Sequence, residues 1–504
     1  MNLLLWLATV IVLAVLPTGP TCAAPEQVTS GSKLFAESWI LGEAVTLLAR
    51  QQGGATAVHR SNLGGTAIIY TALRQGSIDV YPDYTGTIGE VILKTTRRLT
   101  LAEMRRALAK EGIGMSDSLG FNDGYALGVT AATQAKYGLY KISDLAAHPN
   151  LALGFSHEFL GRKDGWPGLA RHYGLTMTNV RGIQHELSYE AIAGGKIDVM
   201  DLYTTDPQIG KLGLSTLTDD RDFFPRYDAV LLYRLDLQQR APRAFAAIMK
   251  LVGKIDEAHM SRANALVQVE KRSQQEAAAA LLQDTLGGTY AETASTGMAG
   301  TIAWNTLRHL QLVSVSLLAA MVVGVPLGIL ATRARWLAAI TLTGAGLLQT
   351  IPSLALLAFL IPLFGIGLLP ALVALFLYSL LPIVRNTYTG LASIPANLAE
   401  AAEVIGLSPR ARLFSVYLPL ASPSIMAGIK TSAVINVGTA TLAALIGAEG
   451  LGNPIMQGIA LRDTSLILQG AIPAACLALA VQWSFDLLDR IVIPRGIRLS
   501  STGH

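Results

Sequence analysis

Four tyrosines stand where short apolar runs of the sequence begin or end, and their rings could bind a cation. Tyr84 and Tyr203 follow two Ile-Asp-Val runs, and Tyr125 and Tyr227 border two further runs of strand length. A quaternary ammonium group has no N–H to donate, so the electron-rich faces of aromatic rings are its natural partners, at roughly 0.5–2 kcal/mol per ring. The four tyrosines predict a cage for such a group; the alternative is that each is an ordinary core or surface residue.

Arg162 is our candidate for a second ligand contact. A zwitterionic ligand carries a carboxylate, and a guanidinium group binds a carboxylate through two parallel hydrogen bonds. Lys163 and Asp164 follow directly in the sequence, so a solvated surface arginine is the alternative. Lys33 and Glu37 either line the mouth of the same site or cap the first helix of the chain.

An internal repeat predicts the elements that position these residues. Residues 72–85 and residues 191–204 are identical at seven of fourteen aligned positions. Each copy has the pattern of a helix, a glycine turn, a short strand and a tyrosine, so two similar lobes are expected. Ligands of open α/β sheets bind beyond the carboxyl ends of the strands. Tyr84 and Tyr203 are therefore expected to face one cleft shared by both lobes.

The composition of the chain indicates a membrane protein with a soluble part. A length of 504 residues predicts at least two compact units. Hydrophobic residues make up 51% of the chain, charged residues make up 15%, and the mean hydropathy is +0.43, so part of the chain is expected to lie in a membrane and contact its lipid. The net charge of +4 is small and comes from scattered residues, which excludes a nucleic-acid partner.

The beginning of the sequence has the pattern of a secretory signal peptide. Residues 1–24 carry no charge, are apolar through most of their length and end in small residues. Cleavage near Ala24 is expected, with an uncleaved anchor helix as the alternative. The two cysteines are Cys22 in this leader and Cys476 in a late apolar run, so no disulfide framework is expected in the soluble part.

The character of the sequence then divides the remaining chain. Residues 25–290 alternate strand-length apolar runs with helical patterns, which predicts a soluble α/β domain. Residues 291–306 are expected to form a linker, residues 307–490 a helical membrane domain, and residues 491–504 a cytoplasmic tail. The membrane domain is expected to cross the bilayer five times, at residues 308–331, twice within the uncharged stretch 337–384, and at residues 422–447 and 466–486.

The basic residues predict the orientation of these spans. Loops on the cytoplasmic side are enriched in lysine and arginine, and three segments of this kind are residues 332–336, 385–423 and the tail. The loops near Gly367 and at residues 452–463 are expected on the opposite side. A bacterial inner-membrane protein with its soluble domain in the periplasm and its C-terminus in the cytoplasm follows from this bias and from the leader.

Six stretches of the soluble part carry a family resemblance: residues 31–41, 63–66, 81–87, 121–129, 158–165 and 203–206. Through them the chain resembles the substrate-binding proteins of the glycine betaine, choline and carnitine group of ABC importers. The resemblance implies a two-lobed α/β periplasmic-binding-protein fold, type II-like, for this domain. It also implies a small quaternary ammonium ligand, and ligand contacts by Tyr84, Tyr125, Tyr203, Tyr227, Arg162, Thr87 and the main chain of Asp123. Lys33 is counted as a further ligand contact from its own position in the sequence.

A second resemblance lies in the predicted cytoplasmic loop at residues 400–419. The residues Glu400, Ala401, Ala402, Gly406, Leu418 and Pro419 resemble the EAA loop of ABC importer permeases. The resemblance implies an all-α importer domain of about five helices, in which this loop docks on a separate ATPase. A short helix of small residues that ends at a glycine could enter a groove on that partner and transmit its closure to the spans; an ordinary loop between spans is the alternative.

The sequence has no phosphate-binding loop of the type Gly-x-x-x-x-Gly-Lys-Ser/Thr, so ATP is expected to be used by the partner ATPase. No cofactor or metal is expected on this chain. Such ATPases work in pairs, which predicts two ATPase copies and a homodimer of this chain. A ligand-gated channel or sensor is the alternative function, and an enzyme is a third possibility for which the sequence offers no catalytic motif.

Overall fold

A computed structural model describes residues 26–95, 97, 99–290 and 297–493 of the chain. The expected signal peptide with Cys22 lies outside the described residues, as do the first part of the expected linker and most of the expected tail. The described chain consists of a two-lobed α/β part followed by a helical part.

Ten strands form the two sheets of the α/β part. They are β1 (Gln27–Gly31), β2 (Thr56–Arg60), β3 (Val80–Tyr84), β4 (Ile113–Met115), β5 (Tyr125–Thr130), β6 (Ala152–Ser156), β7 (Asn179–Ile183), β8 (Val199–Tyr203), β9 (Leu214–Leu217) and β10 (Ala229–Arg234). The strand order is β2-β1-β3-β10-β4 in the first sheet and β7-β6-β8-β5-β9 in the second. Strands β5 and β10 are antiparallel to the central strands β8 and β3, so the two sheets have the same arrangement.

Eleven labelled helices cover these sheets. They are α1 (Ala36–Gln51), α2 (Thr66–Arg74), α3 (Leu101–Ala109), α4 (Ala131–Tyr137), α5 (His157–Gly161), α6 (Trp166–Tyr173), α7 (His185–Ala193), α8 (Gln208–Leu212), α9 (Pro242–Ile248), α10 (Glu257–Gln268) and α11 (Gln274–Leu286). Helix α1 packs against α9, α10 and α11, and its residues 36–49 are all buried. Because it is covered on every side, α1 is a fixed support for the polar side chains in its first turn.

The predicted repeat is present in both lobes. In each lobe a helix ends before a glycine with positive φ, Gly76 at 74° and Gly195 at 64°, and a buried central strand follows. The aspartate before that strand has the same contacts in both copies: Asp79 accepts from the backbone N–H of Thr29 at 2.8 Å, and Asp198 accepts from that of Ala152 at 2.8 Å. The sequence identity therefore corresponds to a structural duplication.

The two lobes are connected by two segments that run side by side. The bridge between Asn122 and Asp228 joins these segments, and the side chain of Asn122 accepts from the backbone N–H of Tyr227 at 2.6 Å. Because both connections lie together, they form the hinge of the α/β part, and residues next to them lie at the base of the cleft between the lobes.

Eight labelled helices form the helical part: α12 (Met298–Ala331), α13 (Arg335–Thr350), α14 (Ser353–Phe364), α15 (Leu368–Ala392), α16 (Ala396–Val404), α17 (Leu418–Thr439), α18 (Gly452–Leu461) and α19 (Thr464–Val492). Among the described residues four helical segments are long and apolar enough to cross a membrane, and α13 with α14, bent by 99°, makes a fifth if the pair is one span. This agrees with the expectation of about five helices.

The structure corrects two expected boundaries of the membrane domain. Helix α12 begins at Met298, so the described end of the expected linker, from residue 298 to 306, is helical. The guanidinium of Arg308 lies 4.4 Å from the ring centre of Trp304 one turn earlier, and such pairs stabilise a helix beyond its apolar stretch. Helix α19 likewise continues to Val492, into the segment expected to be tail.

Candidate functional site

A cavity of about 690 Å³ lies between the two lobes. Strands β3 and β8 end at this cavity with Tyr84 and Tyr203, as the rule for open α/β sheets predicts. The cavity brings together all eight residues that the sequence assigned to ligand contact: Lys33, Tyr84, Thr87, Asp123, Tyr125, Arg162, Tyr203 and Tyr227. The fold therefore gathers residues that are as much as 194 positions apart in the sequence, between Lys33 and Tyr227.

Three tyrosine rings form one wall of the cavity. Tyr125 starts β5 directly opposite Tyr203 at the end of β8, and their ring centres are 5.0 Å apart. Tyr227, on the hinge, lies 5.8 Å from Tyr125 and meets it edge-on at 87°. The three rings thus lie together as one aromatic surface of the cavity, and an aromatic surface attracts an ammonium head.

Tyr84 lines the same cavity from the side of the first lobe. Its hydroxyl donates to Glu37 at 2.5 Å, and its ring centre lies 6.4 Å from that of Phe35. Burial raises the pKa of the Tyr84 phenol, and the negative charge of Glu37 raises it further. Burial also raises the pKa values of Tyr125, Tyr203 and Tyr227. All four phenols are therefore neutral at physiological pH, so the site offers π faces and no phenolate.

Arg162 lies at the edge of the tyrosine wall, held by two carboxylates. Its Nε and Nη2 donate to Asp164 at 2.8 and 2.6 Å, and Nη1 donates to Glu158 at 3.3 Å. Its guanidinium carbon is 5.8 Å from the ring centre of Tyr125. Burial by itself would raise the pKa of Asp164, but the hydrogen bonds from Arg162 and Tyr227 and the charge of Arg162 together outweigh it and lower that pKa. Arg162 is therefore not a solvated surface arginine, and most of its N–H groups already have partners.

Lys33 and Glu37 lie inside the site and not at its mouth. Lys33 is 7% exposed, and its ammonium group donates to Asp83 at 2.6 Å. Its backbone N–H donates to the hydroxyl of Ser38 on helix α1 at 2.9 Å, and this hydrogen bond fixes Lys33 to the helix. Glu37 is 3% exposed and is fixed by the buried first turn of α1. Both residues thus line the cavity, Glu37 from the first turn of α1 and Lys33 from the segment just before that helix.

A cluster around Glu37 forms the polar floor of the cavity. Glu37 accepts from the hydroxyl of Thr205 at 2.7 Å and from the side-chain amide of Asn264 at 2.9 Å. The Thr205 hydroxyl is also 2.8 Å from a carboxylate oxygen of Asp123. Burial raises the pKa values of both Glu37 and Asp123. The charges of Glu37 and Asp206 raise the pKa of Asp123 further, and the charge of Asp206 raises that of Glu37. The floor therefore holds two carboxyl groups that resist being charged together.

Sequence reasoning did not assign Thr205 or Asn264 to the site. Thr205 belongs to the stretch 203–206 that carried the family resemblance, so that stretch contained a signal for it. Asn264 lies on α10, a helix with no motif, and reaches the cavity only because α10 packs on α1. The main-chain N–H of Asp123, expected to contact a ligand, donates to the carbonyl of Tyr227 at 3.1 Å, so the side chain is the part of Asp123 that this structure directs to the floor.

A charged histidine supports the second lobe below Tyr203. His185 has Nε2 at 3.1 Å from Asp206, and its ring centre is 4.9 Å from that of Tyr203. Burial by itself would lower the pKa of His185, but hydrogen bonds and the charges of Asp201 and Asp206 raise it well above the usual value. His185 and Asp206 were not assigned from the sequence, and both line the cavity.

The expected coupling loop forms a small exposed unit at the far end of the membrane helices. Glu400, Ala401 and Ala402 lie on α16, and Gly406 follows with φ of 81°, a left-handed conformation that favours glycine. Leu418 and Pro419 begin α17. The last residues before the glycine, Val404 and Ile405, are 85% and 73% exposed. An apolar knob of this kind on a helix end is suited to docking in a groove of another protein.

The fold and the site define a ligand-binding domain joined to the membrane domain of an importer, and the comparison with protein families agrees. The model of the substrate-binding domain of ABC-type glycine betaine transport systems matches residues 26–284. The model of the inner-membrane component of binding-protein-dependent transport systems matches residues 324–497. The chain therefore belongs to the binding-protein-dependent ABC import systems, as a substrate-binding domain and a permease domain in one polypeptide.

Individual relatives each match about two fifths to one half of the chain. The osmoprotectant import permease protein OsmW of Salmonella typhimurium is 46% identical over 205 residues, which cover 40% of this chain and 95% of the relative. The choline transport system permease protein OpuBB of Bacillus subtilis is 42% identical over 40% of this chain and 92% of the relative. The ergothioneine transport permease/ergothioneine binding protein EgtU of Helicobacter pylori is 32% identical over 48% of this chain and 44% of the relative.

One solved structure, a glycine betaine/carnitine/choline ABC transporter, aligns with a TM-score of 0.46 and 30% identity over 51% of this chain and 97% of that one. The two family matches confirm the predicted transporter subunit and give no support to a ligand-gated channel or sensor. A permease of this family is an inner-membrane, multi-pass protein that works with an ATPase and a small ligand.

Proposed function

We propose that the cavity binds a small quaternary ammonium compound, of the kind represented by glycine betaine, choline and carnitine, and delivers it to the permease domain for import. The observation that carries this proposal is the meeting of Tyr125, Tyr203 and Tyr227 at one cavity, with ring centres 5.0 and 5.8 Å apart. Neutral aromatic rings gathered on one wall of a cavity attract a methylated cation and give an ordinary apolar ligand no comparable advantage.

The charges around the cavity favour a cationic head at the tyrosine wall. Glu37 and Asp123 lie on the floor, and Glu158 and Asp164 lie beside Arg162. A ligand that also carries a carboxylate would bind Arg162 by displacing the 3.3 Å contact with Glu158, the weaker of its two carboxylate contacts. In this proposal Arg162 orients zwitterions, while choline, which has no carboxylate, uses the wall and the floor alone.

The same proposal places this chain in a complete transporter. Two copies of the chain form the pathway, and two separate ATPase subunits bind the coupling loops that contain Glu400, Ala401, Ala402, Gly406, Leu418 and Pro419. The binding domain faces the periplasm, and the coupling loop faces the cytoplasm. This orientation is supported by the contacts that the loops near Gly367 and Arg462 have with the binding domain, because both loops were expected on the side opposite to the arginine-rich segments.

The experiment that tests the ligand class is calorimetric titration of the full chain in lipid nanodiscs. Glycine betaine, choline, carnitine, proline betaine and ergothioneine are each titrated into separate samples. Saturable binding of at least one of the first four is the expected result. If none of those four binds while ergothioneine does, the cage serves a different methylated cation; if all five fail to bind, the assignment of the ligand class is wrong.

A further inference from the structure

The turn between α18 and α19 of the permease half reaches the mouth of the ligand cavity. Ala460, Leu461 and Arg462 line the same cavity as the four tyrosines. Ala460 and Leu461 also pack against the hydrophobic core of the binding domain. The wall of the cavity is therefore built by both halves of the chain, although every motif that pointed to the ligand lies in the first half.

Two polar contacts attach this turn to the binding domain. The guanidinium of Arg462 lies 2.7 Å from the carboxylate of Glu190 on α7, in the second lobe. The ammonium group of Lys271, which follows α10, donates to the backbone carbonyl of Leu461 at 3.0 Å. Since α10 packs on α1 of the first lobe, the turn is in contact with both sides of the cleft.

The turn is held in a defined shape by its own helices. Arg462 has φ of 51°, a left-handed conformation that is uncommon for a residue with a side chain. The backbone N–H of Asp463 donates to the carbonyl of Gly458 at 2.8 Å, and the Asp463 carboxylate caps α19 by accepting from Leu466 at 3.2 Å. A movement of α18 or α19 is thus transmitted directly to the side chain of Arg462.

The first lobe is seated on other parts of the permease half. The side-chain amide of Gln75 donates to the carbonyl of Pro362 at 2.9 Å. Arg60 lies against Gly367, and Leu63 lies against Gly447. These contacts hold the first lobe on the loops after α14 and α17, whereas the ion pair between Arg462 and Glu190 connects the permease to the second lobe, which has to move when the cleft opens.

We propose that the turn at residues 460–463 is a latch: Arg462 holds the second lobe through Glu190 and closes the mouth of the cavity, so that exchange of ligand with the outside requires this ion pair to break. This inference rests on the proposed function for the nature of the ligand. Movement of α18 and α19 during the transport cycle breaks or forms the ion pair between Arg462 and Glu190. The conformation of the permease thereby controls how long the ligand is retained.

The test is the rate of ligand dissociation from the full chain in nanodiscs, measured by dilution of bound radiolabelled choline or glycine betaine. Arg462→Ala and Glu190→Ala each should release ligand about two- to fivefold faster than the unchanged chain, the size expected for a partly exposed ion pair. The double exchange Arg462→Glu with Glu190→Arg should restore slow release. Arg308→Ala, which breaks the ion pair with Glu449 inside the permease half, is the matched control and should leave the rate unchanged.

A second measurement is independent of the ligand. Glu190→Cys and Arg462→Cys, in a chain with Cys22→Ser and Cys476→Ser, should be joined by a short bismaleimide, while Glu449→Cys paired with Glu190→Cys should not. Absence of cross-linking overturns the latch whatever the ligand is. Efficient cross-linking with identical release rates in all variants also overturns it, because the contact would then have no effect on retention. If the unchanged chain binds no ammonium ligand, the proposed function fails, and the cross-linking result alone decides whether the contact exists.

Discussion

The hydroxyl of Thr205 in the second lobe lies 2.7 Å from the carboxylate of Glu37 in the first lobe, so one hydrogen bond spans the cleft. The same oxygen lies 2.8 Å from Asp123. A hydroxyl has one proton and can satisfy one of these two acceptors fully. The second short contact is favourable when the other acid is protonated, which agrees with the raised pKa values of Glu37 and Asp123. We therefore expect one of the two acids to hold a proton and to donate it to this oxygen, while the other accepts from the hydroxyl.

Thr205→Val should weaken ligand binding by removing the donor that links the lobes. The expected loss is about 1–1.5 kcal/mol, roughly a five- to tenfold rise in the dissociation constant, measured by titration of the full chain. Valine has nearly the same shape as threonine, so packing is kept. Thr205→Ser retains the hydroxyl and should bind normally; equal affinity of the valine and serine variants would contradict the role of this hydrogen bond.

The raised pKa values of Glu37 and Asp123 predict that affinity for choline depends on pH. A bound cation favours the charged forms of Glu37 and Asp123, so it lowers their raised pKa values and releases a proton. Affinity should then increase as the pH rises from about 4.5, by at most about tenfold per pH unit, and level off above the raised pKa of the ligand-free pair. Asp206 and Tyr84 also face this pair, and Tyr84 stays neutral throughout because burial raises its pKa.

Titration of choline at several pH values checks this, with Glu37→Gln as the comparison. Without the charge of Glu37 the pKa of Asp123 should fall toward its usual range, and the dependence on pH should flatten. Without ligand the effect on stability has the opposite sign: a carboxyl whose pKa is raised on folding keeps its proton in the folded state, so the stability that this pair contributes should decrease as the pH rises from about 4 through the raised pKa. Carboxyls with lowered pKa values, such as Asp164, contribute in the other direction, so the melting temperature of the unchanged chain is compared with that of Glu37→Gln. A difference between the two that stays constant over this range would contradict the raised pKa values.

Tyr203→Ala should reduce affinity for quaternary ammonium ligands by roughly ten- to thirtyfold, because it removes one face of the cage. Tyr203→Phe keeps the ring and should lose little, since the phenol oxygen contacts Tyr125 only weakly, at 3.4 Å. Tyr140 is 62% exposed on the same lobe, so Tyr140→Ala is a matched control. If both alanine variants bind equally well, Tyr203 is not part of the cage.

Ile405→Asp should uncouple transport from ligand binding. This side chain is 73% exposed beside Val404, and a charge there would oppose docking in an apolar groove of the ATPase, with an expected fall of about tenfold or more in ligand-stimulated ATP hydrolysis. Ligand affinity should not change, because Ile405 is not among the residues that line the cavity. Val58→Asp, at a 48% exposed position of the binding domain, is the control. Normal ATP hydrolysis in the Ile405 variant would rule out this knob as the docking site.

The sequence could predict features that depend on local pattern. Long apolar stretches identify membrane helices wherever they occur, and the repeat with its Ile-Asp-Val runs identified the central strands that end at Tyr84 and Tyr203. Because strands of such sheets present their carboxyl ends to ligands, the type and position of these residues were enough to predict a shared tyrosine site. The boundary at Met298 was missed, since a helix can extend beyond its apolar stretch.

Other features arise from contacts between segments that no pattern connects. Glu37 and Asn264 are 227 positions apart and meet because α10 packs on α1; Arg462 and Glu190 are 272 positions apart and belong to different domains. The sequence showed that Arg162 is suited to a carboxylate and that Asp164 is near it in the chain, but only the structure shows that Asp164 already accepts from two of its N–H groups. Composition and spacing thus determined which residue types line the site, whereas the pairing of charges and the closing of its mouth depend on distances that only the packed chain defines.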